Sequence, residues 1–135
     1  MPLAYLLDTN IVSFFVRGTF PAVRSRLLQT PLESMAVSAV TEAELLYWVA
    51  GRPLDSRTRV SVRDFLTRVL SIPWDSQAAE VYAERREAQR RIGRPLATED
   101  MMIAAHALAR GLTLVTHDSA FAFVDGLRTE DWTVA

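Results

Sequence analysis

Short apolar runs alternate with longer stretches of helical period along this chain, and the alternation predicts a mainly parallel β-sheet flanked by helices. Ala4 to Leu7 reads as a buried strand, followed by a short helix over Thr9 to Val16 and a second over Pro21 to Leu28. Ser34 to Ser38 is a short strand, and Val40 to Ala50 a helix stopped by Gly51 and Pro53. Ser56 to Val69 is helical, with Val60, Phe65, Leu66 and Val69 on its apolar side. Pro73 keeps Ser71 to Trp74 extended. A long helix over Ser76 to Arg91 ends before Gly93, and Thr98 to Arg110 is another, stopped by Gly111. Leu112 to Thr116 closes the strand set, and Leu127 and Trp132 are late core anchors. The expected fold class is therefore α/β, in a single domain over residues 1–135.

Half of the 135 residues are hydrophobic, enough to bury roughly two-thirds of the unfolded surface without staples. The absence of cysteine excludes a disulfide framework, a thiolate zinc site and a cysteine nucleophile, and suits a reducing cytoplasm. No signal peptide or transmembrane span is read, because Asp8 and Asn10 interrupt the apolar N-terminal stretch and no basic segment precedes it. The net charge of −1 offers no bulk basic field for nucleic acid. The chain has no Lys. That excludes a P-loop NTPase and Schiff-base chemistry.

Four separated acids carry the candidate chemistry: Asp8, Glu44, Asp100 and Asp118. Asp8 ends the first strand and Asp118 follows the last, and ligands of open α/β sheets bind at the carboxyl ends of strands. Each acid also has a structural explanation. Asp8 and Asp118 suit N-caps, Thr41 to Glu44 fits a capping box, and Glu99 and Asp100 lie where a helix dipole favours acids. Periodicity puts Asp100 on the stripe of Ile103, Ala104, Ala107 and Leu108, facing the core, and Glu99 with His106 and Arg110 on a wetter face. It does not separate Glu44 from Glu42. Two carboxylates ~5 Å apart at an effective dielectric of ~20 repel by ~3 kcal/mol, or ~2.4 pKa units. A pocket holding several therefore calls for protonation or a cation, and Mg²⁺ or Mn²⁺ suits an all-oxygen donor set.

In order, Leu6-Leu7-Asp8-Thr9-Asn10-Ile11, Ser38-Ala39-Val40-Thr41-Glu42-Ala43-Glu44-Leu45, Asp100-Met101-Met102-Ile103-Ala104-Ala105-His106-Ala107-Leu108 and Leu114-Val115-Thr116-His117-Asp118, closing with Gly126-Leu127 and Trp132, resemble the PIN-domain ribonucleases, specifically the VapC toxins of toxin–antitoxin pairs. The resemblance implies a PIN-like fold and Mg²⁺- or Mn²⁺-dependent cleavage of RNA. It carries the catalytic and metal-binding acids onto Asp8, Glu44, Asp100 and Asp118, choosing Glu44 because it stands three after Thr41 and directly before Leu45. Thr9, Asn10 and Thr116 fall at supporting positions of the same pocket. An RNA substrate, a cognate VapB-type antitoxin and a homodimer are the implied partners. The antitoxin would lie in a hydrophobic groove lined by some of Phe14, Phe15, Tyr47 and Trp48, otherwise core residues. Trp48 departs from the family, in which many members carry a small residue there.

Three further features are weighed in the residues themselves. His117 could serve as a general acid, His106 as a packed or dimer-facing residue, and Arg85, Arg86, Arg90 and Arg91 as RNA contacts among Glu80, Glu84 and Glu87. A receiver domain or dehalogenase-type phosphatase would need a Lys, and the latter Asp-x-Asp where this chain has Asp8-Thr9-Asn10. A non-catalytic RNA- or protein-binding scaffold is the remaining alternative.

Overall fold

In the computed structural model, which describes residues 2–134, five short strands form one parallel sheet. They are β1 (Tyr5–Leu7), β2 (Met35–Ser38), β3 (Leu70–Ile72), β4 (Thr113–Val115) and β5 (Thr129–Glu130), in the order β3-β2-β1-β4-β5. The helices are α1 (Thr9–Arg17), α2 (Pro21–Gln29), α3 (Ala39–Ala50), α4 (Arg57–Arg68), α5 (Ser76–Arg91) and α6 (Thr98–Arg110). The chain winds outward from β1 through β2 to β3, then returns to the other side of β1 with β4. That reversal between β1 and β4 is the switch point at which α/β sheets open a crevice.

Strand alternation divides the core. Leu7, Val37 and Val115 face α1, α2, α3 and α4, in a layer completed by Ile11, Val12, Val23, Leu45, Val62 and Phe65. Leu6, Ala36 and Leu114 face the opposite layer, with Met101, Ile103, Ala104 and Ala107 of α6. On α4 the buried valine is Val62, whereas Val60, expected on the apolar side, is 54% exposed. Gly111 ends α6 with φ 65°, a left-handed conformation that costs a residue with a Cβ, and its N–H reaches Leu108 O at 3.2 Å. The tight stop delivers the chain directly into β4.

Two expectations are corrected here. Ser38, not Thr41, caps α3, its hydroxyl accepting from Val40 N at 3.1 Å. His106 lies on no wet face; it is 1% exposed, its Nδ1 2.8 Å from Ser38 Oγ. It is a packed histidine, and burial holds its pKa below the ordinary value, assisted by Arg110 and opposed by Asp75. The parallel pairing of β4 with β5 is an addition, since Leu127 to Trp132 gave no strand signal.

Candidate active site at the sheet switch point

Asp8 sits where β1 becomes α1, with its backbone N–H bonded to Val115 O at 3.0 Å. One carboxylate oxygen, Oδ1, accepts from Ile11 N at 2.8 Å and caps α1. The side chain is only 5% exposed. Burial pushes its pKa up to about 6, against hydrogen bonds from the Thr116 hydroxyl and Ile11 N–H that favour the anion; Asp100 and Asp118 push it further up. The cap reading and the functional one therefore use the same residue: the cap fixes one oxygen and leaves the carboxylate facing other acids.

Those acids arrive from three other elements. Asp100 is in the first turn of α6, half-buried, its pKa raised by burial and then by Asp118, Glu44 and Glu99. Asp118 follows β4 and caps a short 3-10 turn at Ser119–Phe123 by accepting from Ala120 N at 2.9 Å. Its own N–H donates to Thr116 Oγ1 at 3.0 Å, so Thr116 joins the Asp118 backbone to the Asp8 carboxylate. Glu44 projects from α3. The Thr9 hydroxyl donates to its Oε1 at 2.5 Å and lies 3.1 Å from Thr41 Oγ1. Asn10 is exposed beside Thr9.

The choice that periodicity left open is separated by a long-range contact. Glu42 accepts from Ser71 Oγ of β3 at 3.0 Å, away from the other acids. Glu44 is the member of the pair that acts on Asp100. Thr41 went unrecognised as a site neighbour. Its spacing of three before Glu44 does put both on one helical face, but that face holds Thr9 rather than a helix terminus.

The donor set is oxygen-only and its charges crowd one another, which fits a hard divalent cation. The arrangement is open: among the described residues, no three acid or imidazole side chains are gathered closely enough to enclose one ion. An ion that keeps several of its waters suits such a cleft better than one requiring a closed protein cage. A hollow of about 450 Å³ lies against Glu44, lined also by Thr9, Val40, Ala43, Tyr47 and Glu99. Tyr47 is 84% exposed on its lip, so it is not a core residue. Phe14, Phe15 and Trp48 are partly buried against the helical layer.

A second, more apolar groove of about 510 Å³ runs between α1, α2 and α4. Phe15, Leu27, Met35 and Phe65 line it, with Arg24, Asp64 and Arg68 at its rim. Of the four aromatics expected along such a groove, only Phe15 lines this one. The arginines of α5 are divided: Arg90 pairs with Glu87 at 2.5 Å, and Arg86 bonds the Tyr82 hydroxyl.

Comparison with known proteins follows the same outline. The family model described as PIN domain matches residues 5–127. A tRNA(fMet)-specific endonuclease VapC of Shigella flexneri is 37% identical over 131 residues, 96% of this chain and 98% of that protein. Ribonuclease VapC2 of Haemophilus influenzae is 33% identical with the same coverage. Among solved structures, DNA-bound VapBC from Salmonella typhimurium superposes with a TM-score of 0.88 at 33% identity, covering 96% of this chain and 98% of that one.

Proposed function

The chain belongs to the PIN-domain family, and from that premise we propose that it is a metal-dependent endoribonuclease of the VapC toxin type, restrained by a VapB-type antitoxin. One observation carries the catalytic reading. Asp8, Glu44, Asp100 and Asp118 come from four parts of the chain to one cleft, where Asp100 and Asp118 add to the burial that raises the Asp8 pKa, and Asp118 and Glu44 to that which raises Asp100.

In this reading Asp8, Asp100 and Asp118 hold one or two Mg²⁺ or Mn²⁺ ions, and Glu44, steadied by Thr9, holds an ion or orients the attacking water. Bound there, the cation supplies positive charge against the phosphoryl oxygens and acidifies water near neutral pH. The Thr116 hydroxyl favours the Asp8 anion, and Ile11 N–H fixes Asp8 Oδ1. Water adds to phosphorus, the bond to the 3′-oxygen breaks, and the products carry a 5′-phosphate and a 3′-hydroxyl.

The test is cleavage of total bacterial RNA and of initiator tRNA, the substrate named for the Shigella relative. Purified protein with Mg²⁺ or Mn²⁺ should cut; EDTA should abolish cutting. Glu44→Gln should lower the rate by roughly two orders of magnitude, whereas Glu42→Gln, at a carboxylate that accepts from Ser71 Oγ of β3, should stay within about threefold. Uncut RNA in the presence of bound metal would leave the scaffold alternative.

The apolar groove between α1, α2 and α4 is the proposed seat of the antitoxin, an extended or helical segment with apolar anchors. Leu28 and Leu32 line it and are 65% and 49% exposed, so charging them leaves the core intact. The double variant Leu28→Glu, Leu32→Glu should cleave RNA normally yet fail to co-purify with the antitoxin. Unchanged co-purification would place the antitoxin elsewhere. A homodimer belongs to the same proposal and is readable from the solution mass. So does cytoplasmic residence, readable by fractionation; no helix among the described residues is long and apolar enough to cross a membrane.

A further inference from the structure

His117 stands between the two residues that β4 sends into the acid cleft, Thr116 and Asp118, but its own side chain turns away from them. Its Nδ1 lies 2.9 Å from Asp131 Oδ2 and 3.0 Å from Thr133 Oγ1. The Thr133 hydroxyl gives its proton to Asp131 Oδ1 at 2.6 Å, and Thr133 N–H bonds the same oxygen at 2.9 Å. The remaining carboxylate oxygen therefore accepts from the imidazole Nδ1–H, which fixes the tautomer and the ring plane and leaves Nε2 free.

Two aromatic side chains brace the ring. Phe14 of α1 meets it at a centroid distance of 6.2 Å and 73°, and Phe20 at 5.6 Å and 53°. Both contacts are edgewise or tilted rather than stacked, and the His117 side chain remains 49% exposed. Arg17 lies over the Phe14 ring at 5.8 Å, placing a cation beside the same ledge. An immobilised, half-open planar ring flanked by aromatics and a guanidinium is what a single-stranded base stacks on. Its place in the chain, directly before Asp118, sets it one residue from the acid cleft.

We infer that His117, braced by Phe14, Phe20 and Asp131, is a base-stacking platform that holds an unpaired RNA nucleobase next to the scissile phosphate and so helps to select the cut site. The inference rests on the ribonuclease reading above. It assigns His117 no proton transfer: the imidazole binds, and the acids carry the chemistry.

The test compares wild-type protein with His117→Ala and His117→Phe, using initiator tRNA for kcat and KM and total RNA for mapping cut ends, all with Mg²⁺. Stacking predicts that His117→Ala raises KM about tenfold with kcat within about twofold, and broadens the base composition at the cut. His117→Phe, which keeps a planar face but cannot bond Asp131, should restore KM to within about threefold of wild type. An unchanged KM and cut pattern in His117→Ala overturns the inference. A kcat loss at constant KM also overturns it, in favour of a part in the chemistry. A KM rise that Phe does not restore overturns it in favour of the Asp131 hydrogen bond. If wild-type protein itself cuts no RNA, the ribonuclease reading has failed and the platform falls with it, an outcome distinct from all the others.

Discussion

Asp8→Asn should stop RNA cleavage and, in the same stroke, make the metal-free protein more stable at neutral pH. The first half follows from the proposed role of the carboxylate, and the expected loss is roughly two orders of magnitude or more. The second follows from its surroundings. Burial, with Asp100 and Asp118 adding to it, lifts the Asp8 pKa from 3.8 to about 6. Between those values the folded protein binds the proton more tightly than the unfolded chain, so stability falls as pH rises through that window. Above about pH 6 the whole penalty applies, on the order of 3 kcal/mol. Asn carries no charge to bury and remains a good N-cap, so the Ile11 N–H keeps its acceptor. Melting in EDTA at pH 7.5 should therefore show the variant above wild type by on the order of 10 °C. At pH 4 the two should nearly coincide. Parallel melting curves across that range would mean that the Asp8 charge is not strained in the fold. Added Mg²⁺ or Mn²⁺ should stabilise wild-type protein and leave Asp8→Asn almost unmoved, since an ion stabilises only the state that binds it.

Asp8 was readable because the sequence puts an acid directly after an apolar strand, where the alternatives, an N-cap and a ligand, share one geometry. The layered fold was readable for a similar reason: short apolar runs and helical periods are local signals, and the strands and helices fall within a residue or two of where those signals start and stop. What escaped depends on contacts between distant residues. Glu42 and Glu44 have equivalent periodic neighbours, and only Ser71, from a strand 29 residues away, draws Glu42 out of the cleft. His106 was expected to be packed or dimer-facing from its apolar neighbours, although Glu99 and Arg110 share its stripe; what the sequence did not give is its buried partner, Ser38, 68 residues away. β5 is only Thr129 and Glu130, a polar pair with no apolar run to announce it; pairing with β4 makes it a strand. The family resemblance chose Glu44, the member of the pair that lies beside Thr9 and acts on Asp100, where the spacing alone suggested a capping box that does not form.

Trp132→Ala should have the largest effect on stability, and the way it couples to the site can be measured. The indole is 1% exposed, meets Tyr5 of β1 edge-on at 5.1 Å, and has the Arg26 guanidinium over it at 4.8 Å. Its Nε1–H donates to Glu130 Oε1 at 3.0 Å, the oxygen that also pairs with Arg26 at 3.0 Å. Removing a buried ring of this size costs about 3–5 kcal/mol, a large part of a typical domain's 5–15. Trp132→Phe keeps an aromatic against Tyr5 and loses chiefly the Nε1 hydrogen bond, so about 1–2 kcal/mol is expected. Urea unfolding of the three proteins gives both numbers directly. The functional consequence comes through β5: Glu130 O accepts from Thr116 N at 2.9 Å, and Thr116 in turn holds the Asp8 carboxylate. At a temperature where Trp132→Ala is still fully folded, its kcat should fall several-fold and that of Trp132→Phe should not. Equal kcat in all three folded proteins would mean that β5 sets stability alone and that the Thr116 end of β4 is held by β1 without it.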